Sequence, residues 1–176
     1  QSSCVLCQPG FYSSQPGGVC QVCPTGTVQP SAGQTSCIEC SPGYFQQSMN
    51  FLTCLECPVG QYQPNSQQTS CIECPVGSFQ NITASQACAI CDVGYIQPAS
   101  GQENCDPCLA GTMYTSSILC SDCQAGTYQS AIAQTQCQPC SDGTASAAGS
   151  AQCSDCSAGT FMNSQRTSCD PCYFGT

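Results

Sequence analysis

Cys57-Pro58-Val59-Gly60-Gln61-Tyr62-Gln63-Pro64-Asn65-Ser66-Gln67-Gln68-Thr69-Ser70-Cys71-Ile72-Glu73-Cys74 is one period of a pattern that runs through the whole 176-residue chain. All 22 cysteines fall into eleven Cys-x-x-Cys pairs: 4/7, 20/23, 37/40, 54/57, 71/74, 88/91, 105/108, 120/123, 137/140, 153/156 and 169/172. A glycine stands three residues after every second cysteine, from Gly10 and Gly26 to Gly159 and Gly175. That position calls for a turn with positive φ, or for backbone packed against a disulfide where no Cβ fits. Two residues on comes Tyr12, Val28, Phe45, Tyr62, Phe79, Ile96, Met113, Tyr128, Ala145 or Phe161, often followed by Gln, as at Gln29, Gln46, Gln63, Gln80, Gln97 and Gln129. Turn-forming stretches such as Pro30-Ser31-Ala32-Gly33 and Pro98-Ala99-Ser100-Gly101 occupy mid-repeat.

Two short extended segments joined by a turn predict one small irregular β-hairpin per repeat of ~17 residues. Helical periodicity is absent. The expected fold is a small disulfide-rich, mostly irregular protein, with hairpins stacked in one direction as an elongated rod and no central core. Residues 1–176 read as one continuous array. The sequence stops inside a motif, at Cys172-Tyr173-Phe174-Gly175-Thr176, so the expectation is a segment of a longer array.

Composition supports this and excludes much else. Leu, Ile, Val and Phe number only 25, too few for a self-sufficient hydrophobic core, and the cysteine share marks a cross-linked scaffold. The chain has no His, no Lys and one cation, Arg166, against ten carboxylates. It therefore cannot neutralise phosphates, which excludes nucleic acid and anionic lipid as electrostatic partners. No apolar run is long enough to span a membrane, and no signal-peptide pattern opens the chain. Without His or Lys no nucleophile–base–orienter set can be assembled, so the chain is not expected to be an enzyme, and no cofactor is expected.

The cysteines have three competing readings. A four-thiolate zinc site would carry about −2, on a chain already at −9 with only Arg166 to offset it, and eleven pairs leave one without a partner. Redox catalysis would need a Cys-x-x-Cys at a helix N-terminus beside a βαβ pattern, which is absent. Structural disulfides remain. Sequence alone leaves their connectivity open: each pair could close on itself, adjacent pairs could cross-link twice, or each second cysteine could bond the first of the next pair. The third is preferred, because a mid-repeat turn brings those two cysteines together across the hairpin base. It gives 7–20, 23–37, 40–54, 57–71, 74–88, 91–105, 108–120, 123–137, 140–153 and 156–169, with Cys4 and Cys172 unpaired. Each link closes a loop of roughly 15 residues, worth about 3 kcal/mol of chain entropy.

The run Cys40-Ser41-Pro42-Gly43-Tyr44-Phe45, then Cys54-Leu55-Glu56-Cys57-Pro58-Val59-Gly60-Gln61-Tyr62, then Cys71-Ile72-Glu73-Cys74-Pro75-Val76-Gly77-Ser78-Phe79 resembles the ephrin-receptor-like cysteine-rich repeat. It is also similar to the first module of tumour-necrosis-factor-receptor cysteine-rich domains. The resemblance covers essentially the whole chain and is strongest over residues 20–108. It implies an extracellular or cell-surface location, and a pairing of the cysteine before Pro-x-Gly-x-Tyr with the next cysteine along, as in the third arrangement. It implies little about activity.

Asn81-Ile82-Thr83 is an N-glycosylation sequon placed at a mid-repeat turn, and the Ser/Thr-rich turns are open to O-glycans. Seven acids lie inside the cysteine pairs: Glu39, Glu56, Glu73, Asp106, Asp122, Asp155 and Asp170. One carboxylate per repeat does not make a calcium site, so they read as solvated connector residues. Each in-register aromatic reads as the cover of its own disulfide. Monotonous repeats with a bland surface point to a structural extracellular protein, a stalk, filament or surface coat. Such a chain would bear glycans and associate by continuing the array or through apolar turn residues such as Phe51, Leu52, Ile118 and Leu119. The alternative is a receptor-like or adhesive ectodomain binding a protein ligand.

Solution scattering is expected to give a radius of gyration well above the ~16 Å of a compact globule of this length, and circular dichroism to show no helix. A compact value or a helical spectrum would refute the array.

Overall fold

The structure, a computed structural model, describes residues 6–173. Among these there is no helix. Twenty strands, most of them two residues long, pair in chain order as ten two-stranded antiparallel hairpins.

The fourth hairpin shows how the sequence builds each one. Pro58-Val59-Gly60-Gln61 is a β-turn closed by the Gln61 N–H, which donates to the Pro58 carbonyl at 3.2 Å. Gly60 is its third residue, with φ 77°, a conformation costly for any side chain with a Cβ. Gln61–Tyr62 then pairs with Ile72–Glu73, placing Tyr62 opposite Ile72 and Gln61 opposite Glu73. The Cys74 N–H donates to the Gly60 carbonyl at 2.8 Å and closes the base. The two residues between the cysteines of a pair are thus the return strand of the hairpin, where the sequence led us to expect a bare connector.

The seventh hairpin departs from this plan. Its cysteines are 12 residues apart, against 14 in the fourth. The shorter loop closes as a longer ladder, Thr112–Ser116 against Leu119–Asp122, with a bulge between Tyr114 and Ser116.

Neighbouring hairpins are joined chiefly through backbone. From the fourth to the fifth, the Gly60 N–H donates to the Gln80 carbonyl at 2.7 Å and the Gln63 N–H to the Ser85 carbonyl at 3.0 Å, while the Ala84 N–H returns to the Cys57 carbonyl at 2.9 Å. The same three bonds recur between the third and fourth hairpins, as Gly43 to Gln63, Gln46 to Gln68 and Gln67 to Cys40. The chain divides into two compact units, Gln1–Ala89 with Ser100–Asn104, and Ile90–Ala99 with Cys105–Thr176. No change in the repeat marks the division. Within the second unit the pattern persists, as Gly111 to Gln129, Tyr114 to Gln134 and Ala133 to Cys108.

A longer-range contact explains the glycines. A Cβ on Gly26 would stand 2.3 Å from the Gln67 carbonyl oxygen, one on Gly43 2.1 Å from that of Ala84, and one on Gly60 2.1 Å from that of Gly101. In the second unit, Gly94 meets the Ala133 oxygen and Gly111 that of Gly149 in the same way. Each of these glycines therefore makes its turn and also receives the tip of the hairpin two places on. The neighbour is a carbonyl rather than a disulfide. The tip residues themselves have left-handed backbone: Asn50, Gln67, Ala84, Ala133 and Arg166 among the non-glycines.

Gly60→Ala and Gly143→Ala separate the two demands. Both glycines have positive φ, but nothing lies within 4 Å of a Cβ on Gly143. Gly143→Ala is expected to cost about 1 kcal/mol for the backbone conformation, and Gly60→Ala about 3 kcal/mol once the clash is added. Thermal unfolding of the disulfide-intact proteins checks this, and equal losses would refute the close approach.

Candidate functional site

The hairpin bases are closed by ten disulfides: Cys7–Cys20, Cys23–Cys37, Cys40–Cys54, Cys57–Cys71, Cys74–Cys88, Cys91–Cys105, Cys108–Cys120, Cys123–Cys137, Cys140–Cys153 and Cys156–Cys169. Every second cysteine from Cys7 to Cys140 is buried, six of them with no exposed surface, whereas the first cysteines are half-buried. The sulfurs form the interior because each lies under the stack its own hairpin helps to build. Cys172 is a free, exposed thiol, and Cys4 lies outside the described residues. No three metal-ligating side chains converge among the described residues.

The other half of the interior is polar. Gln29, Gln46, Gln63, Gln97 and Gln129 are buried, Gln46 to 1% exposure. The Gln63 Oε1 accepts from the Asn65 N–H at 3.1 Å, and its Nε2 donates to the Ser70 carbonyl at 2.8 Å. Gln29, Gln46, Gln80 and Gln129 make the same pair of bonds, to the N–H two residues on and the carbonyl seven residues on. One amide thus ties both ends of the tip loop just before the closing cysteine. The sequence displays these glutamines in register, yet nothing in their type announces burial. Among the described residues no buried side-chain polar atom lacks a hydrogen bond.

Where glutamine is missing, other groups serve. Ser146 is buried and donates to the Thr127 carbonyl at 2.9 Å. In the tenth hairpin, Asn163 accepts from the Thr167 N–H and donates to the Thr167 and Ser168 hydroxyls, each at 2.9 Å. Here the tip N–H of Arg166 turns inward to the Asn163 carbonyl. The Arg166 guanidinium takes over its docking role, donating to the Cys140 carbonyl and pairing with Asp142 at 3.1 Å. The single cation of the sequence is a clasp between hairpins.

The remaining sequence-derived residues are spread along the array. Asn81 is exposed at the tip of the fifth hairpin. Next to it, the Ile82 N–H donates to Gln80 Oε1 at 3.1 Å and the Thr83 hydroxyl to Glu56 at 2.8 Å. The acids within the cysteine pairs sit on return strands. Glu73, like Glu56, receives a hydroxyl from the hairpin two places on, Ser100 at 3.0 Å, so these carboxylates contribute to stacking as well as solvation. Most in-register apolar residues are half-buried. Val28 and Ala145 are buried, and Phe161 is 52% exposed. Phe51, Leu52, Ile118 and Leu119 are exposed.

Disulfide-closed hairpins, stacked by backbone bonds over a sulfur and amide interior, define a tandem cysteine-rich repeat protein. The chain belongs to the family described as tyrosine-protein kinase ephrin type A/B receptor-like, whose model matches four overlapping stretches, residues 10–50, 43–87, 77–119 and 111–145. No curated protein matches the chain.

Gln63→Ala would remove the two bonds that hold the Asn65 N–H and the Ser70 carbonyl, at a cost of about 1–3 kcal/mol. Lower thermal stability, with hydrogen exchange accelerated at the fourth hairpin tip, is the expected result. A loss below about 1 kcal/mol would show that the amide is not a staple.

Proposed function

We propose that this chain is a structural extracellular repeat protein, part of a stalk, filament or surface coat, carrying glycan at Asn81. One observation carries the reading. Every hairpin has its own disulfide, and adjacent hairpins share the same few backbone bonds, so the array can be extended without enlarging a core. Such an array resists unfolding locally, since each loop is cross-linked, and its ten disulfides require an oxidising compartment. Family membership supports an extracellular setting. The exposed sequon at Asn81 supports glycosylation, and a nearly uncharged Ser, Thr and Gln surface gains solubility from glycans where charge is scarce. The reading assigns no reaction to the chain, which has neither His nor Lys.

Negative-stain imaging of the native material, with intact mass, tests it. Continuous filaments or stalks, and a mass above the 18.2 kDa of these 176 residues by a glycan at Asn81, are expected. Discrete unglycosylated monomers that bind one soluble protein tightly would favour a receptor-like ectodomain.

A further inference from the structure

The sixth and seventh hairpins, both in the second unit, enclose an open groove of about 440 Å³ lined by Ile96, Asp106, Pro107, Leu109, Thr112 and Cys120. Its walls are mostly apolar, and Leu109 is 66% exposed. Asp106 stands directly across the strand pair from Ile96. In the second to fifth hairpins the residue following the closing cysteine is aliphatic, namely Ile38, Leu55, Ile72 and Ala89. At the sixth it is a carboxylate. Glu56 and Glu73 are held by hydroxyls, Asp142 by Arg166 and Asp170 by Ser168. The Asp106 backbone pairs with Ile96, but its carboxylate, like those of Asp122 and Asp155, meets no hydrogen-bond donor or cation among the described residues.

The geometry points to a docking site for a lysine or arginine side chain presented by another protein. Its aliphatic stem lies along Ile96, Pro107 and Leu109, and its cation reaches Asp106. A long cationic side chain matches an apolar trough with one carboxylate, because stem and head have opposite solvation needs. A second copy of this chain does not fit. It has no lysine, and its single arginine is committed to Cys140 and Asp142. A free amine is a poor occupant as well, since an open groove buries too little of so small a molecule to hold it. This inference does not rest on the stalk reading, and gives such an array a point of attachment to a basic partner.

The test titrates isotope-labelled protein with the peptide acetyl-Leu-Lys-Leu-amide, its norleucine analogue and butylamine, followed by amide chemical shifts. Saturable shifts at Ile96, Asp106, Leu109 and Thr112 are expected with the lysine peptide, weakened at least tenfold by norleucine, by Asp106→Asn and by Leu109→Ser. Asp155→Asn, which removes a charge elsewhere, should change nothing, and dichroism should show both groove variants folded. Equal loss with Asp155→Asn would reduce the effect to net charge and overturn the site. So would butylamine binding as tightly as the peptide, or a dimer abolished by Leu109→Ser.

Discussion

In both units hairpin tips press a carbonyl oxygen onto the glycine two hairpins earlier, and much of the structure follows from that contact. It fixes the approach between hairpins at a distance no Cβ would permit. At that distance the backbone bonds between neighbours form, as from Gly60 to Gln80 and from Ala84 to Cys57. The glycine row is therefore what lets two-residue strands stack at all. A two-stranded ribbon of this length is unstable alone in water. Here every ribbon is closed covalently and bonded to a neighbour.

Disulfides and amides divide the work that a hydrophobic core performs elsewhere. The cystines lower the entropy of the unfolded chain and also fill the interior, since the second cysteines are its most buried residues. The glutamines then satisfy the backbone groups that a tight seven-residue tip would leave unpaired. Burying an amide is costly unless both its ends are bonded, and in each staple both ends are. Asn163 and Arg166 show that the requirement lies with the tip and its docking, and that other side chains meet it.

Repetition does not make the chain uniform. The second to fourth hairpins expose Ile38, Leu55 and Ile72 on their return strands, each followed by a glutamate. From the sixth hairpin onward the matching positions are polar or acidic, and the seventh hairpin has a longer, bulged ladder in place of an amide-stapled loop. These departures lie on the outside, where stacking imposes nothing. They are where a chain of this kind acquires surface features that distinguish one repeat from another.

The sequence by itself determined the repeat, its length, the hairpin in each period, the absence of helix and the family, because all of these are written in local spacing. Cysteines in register, a glycine three residues on and a turn-forming stretch at mid-repeat are short-range signals. It offered two reasons for the glycines, a turn with positive φ or backbone packed against a disulfide, and did not choose between them. Only the tertiary structure decided what each glycine faces, why Gln67 and Ala84 accept left-handed backbone, why an ordinary-looking glutamine is buried, and that the residues between paired cysteines are strand. Those features arise from contacts between one hairpin and the next two, as between Gly26 and Gln67 or Glu56 and Thr83. No residue preference at Gln67 encodes the glycine it must meet. The stacked neighbour holds it there, and its backbone strain is offset by the bond its N–H makes to Cys40.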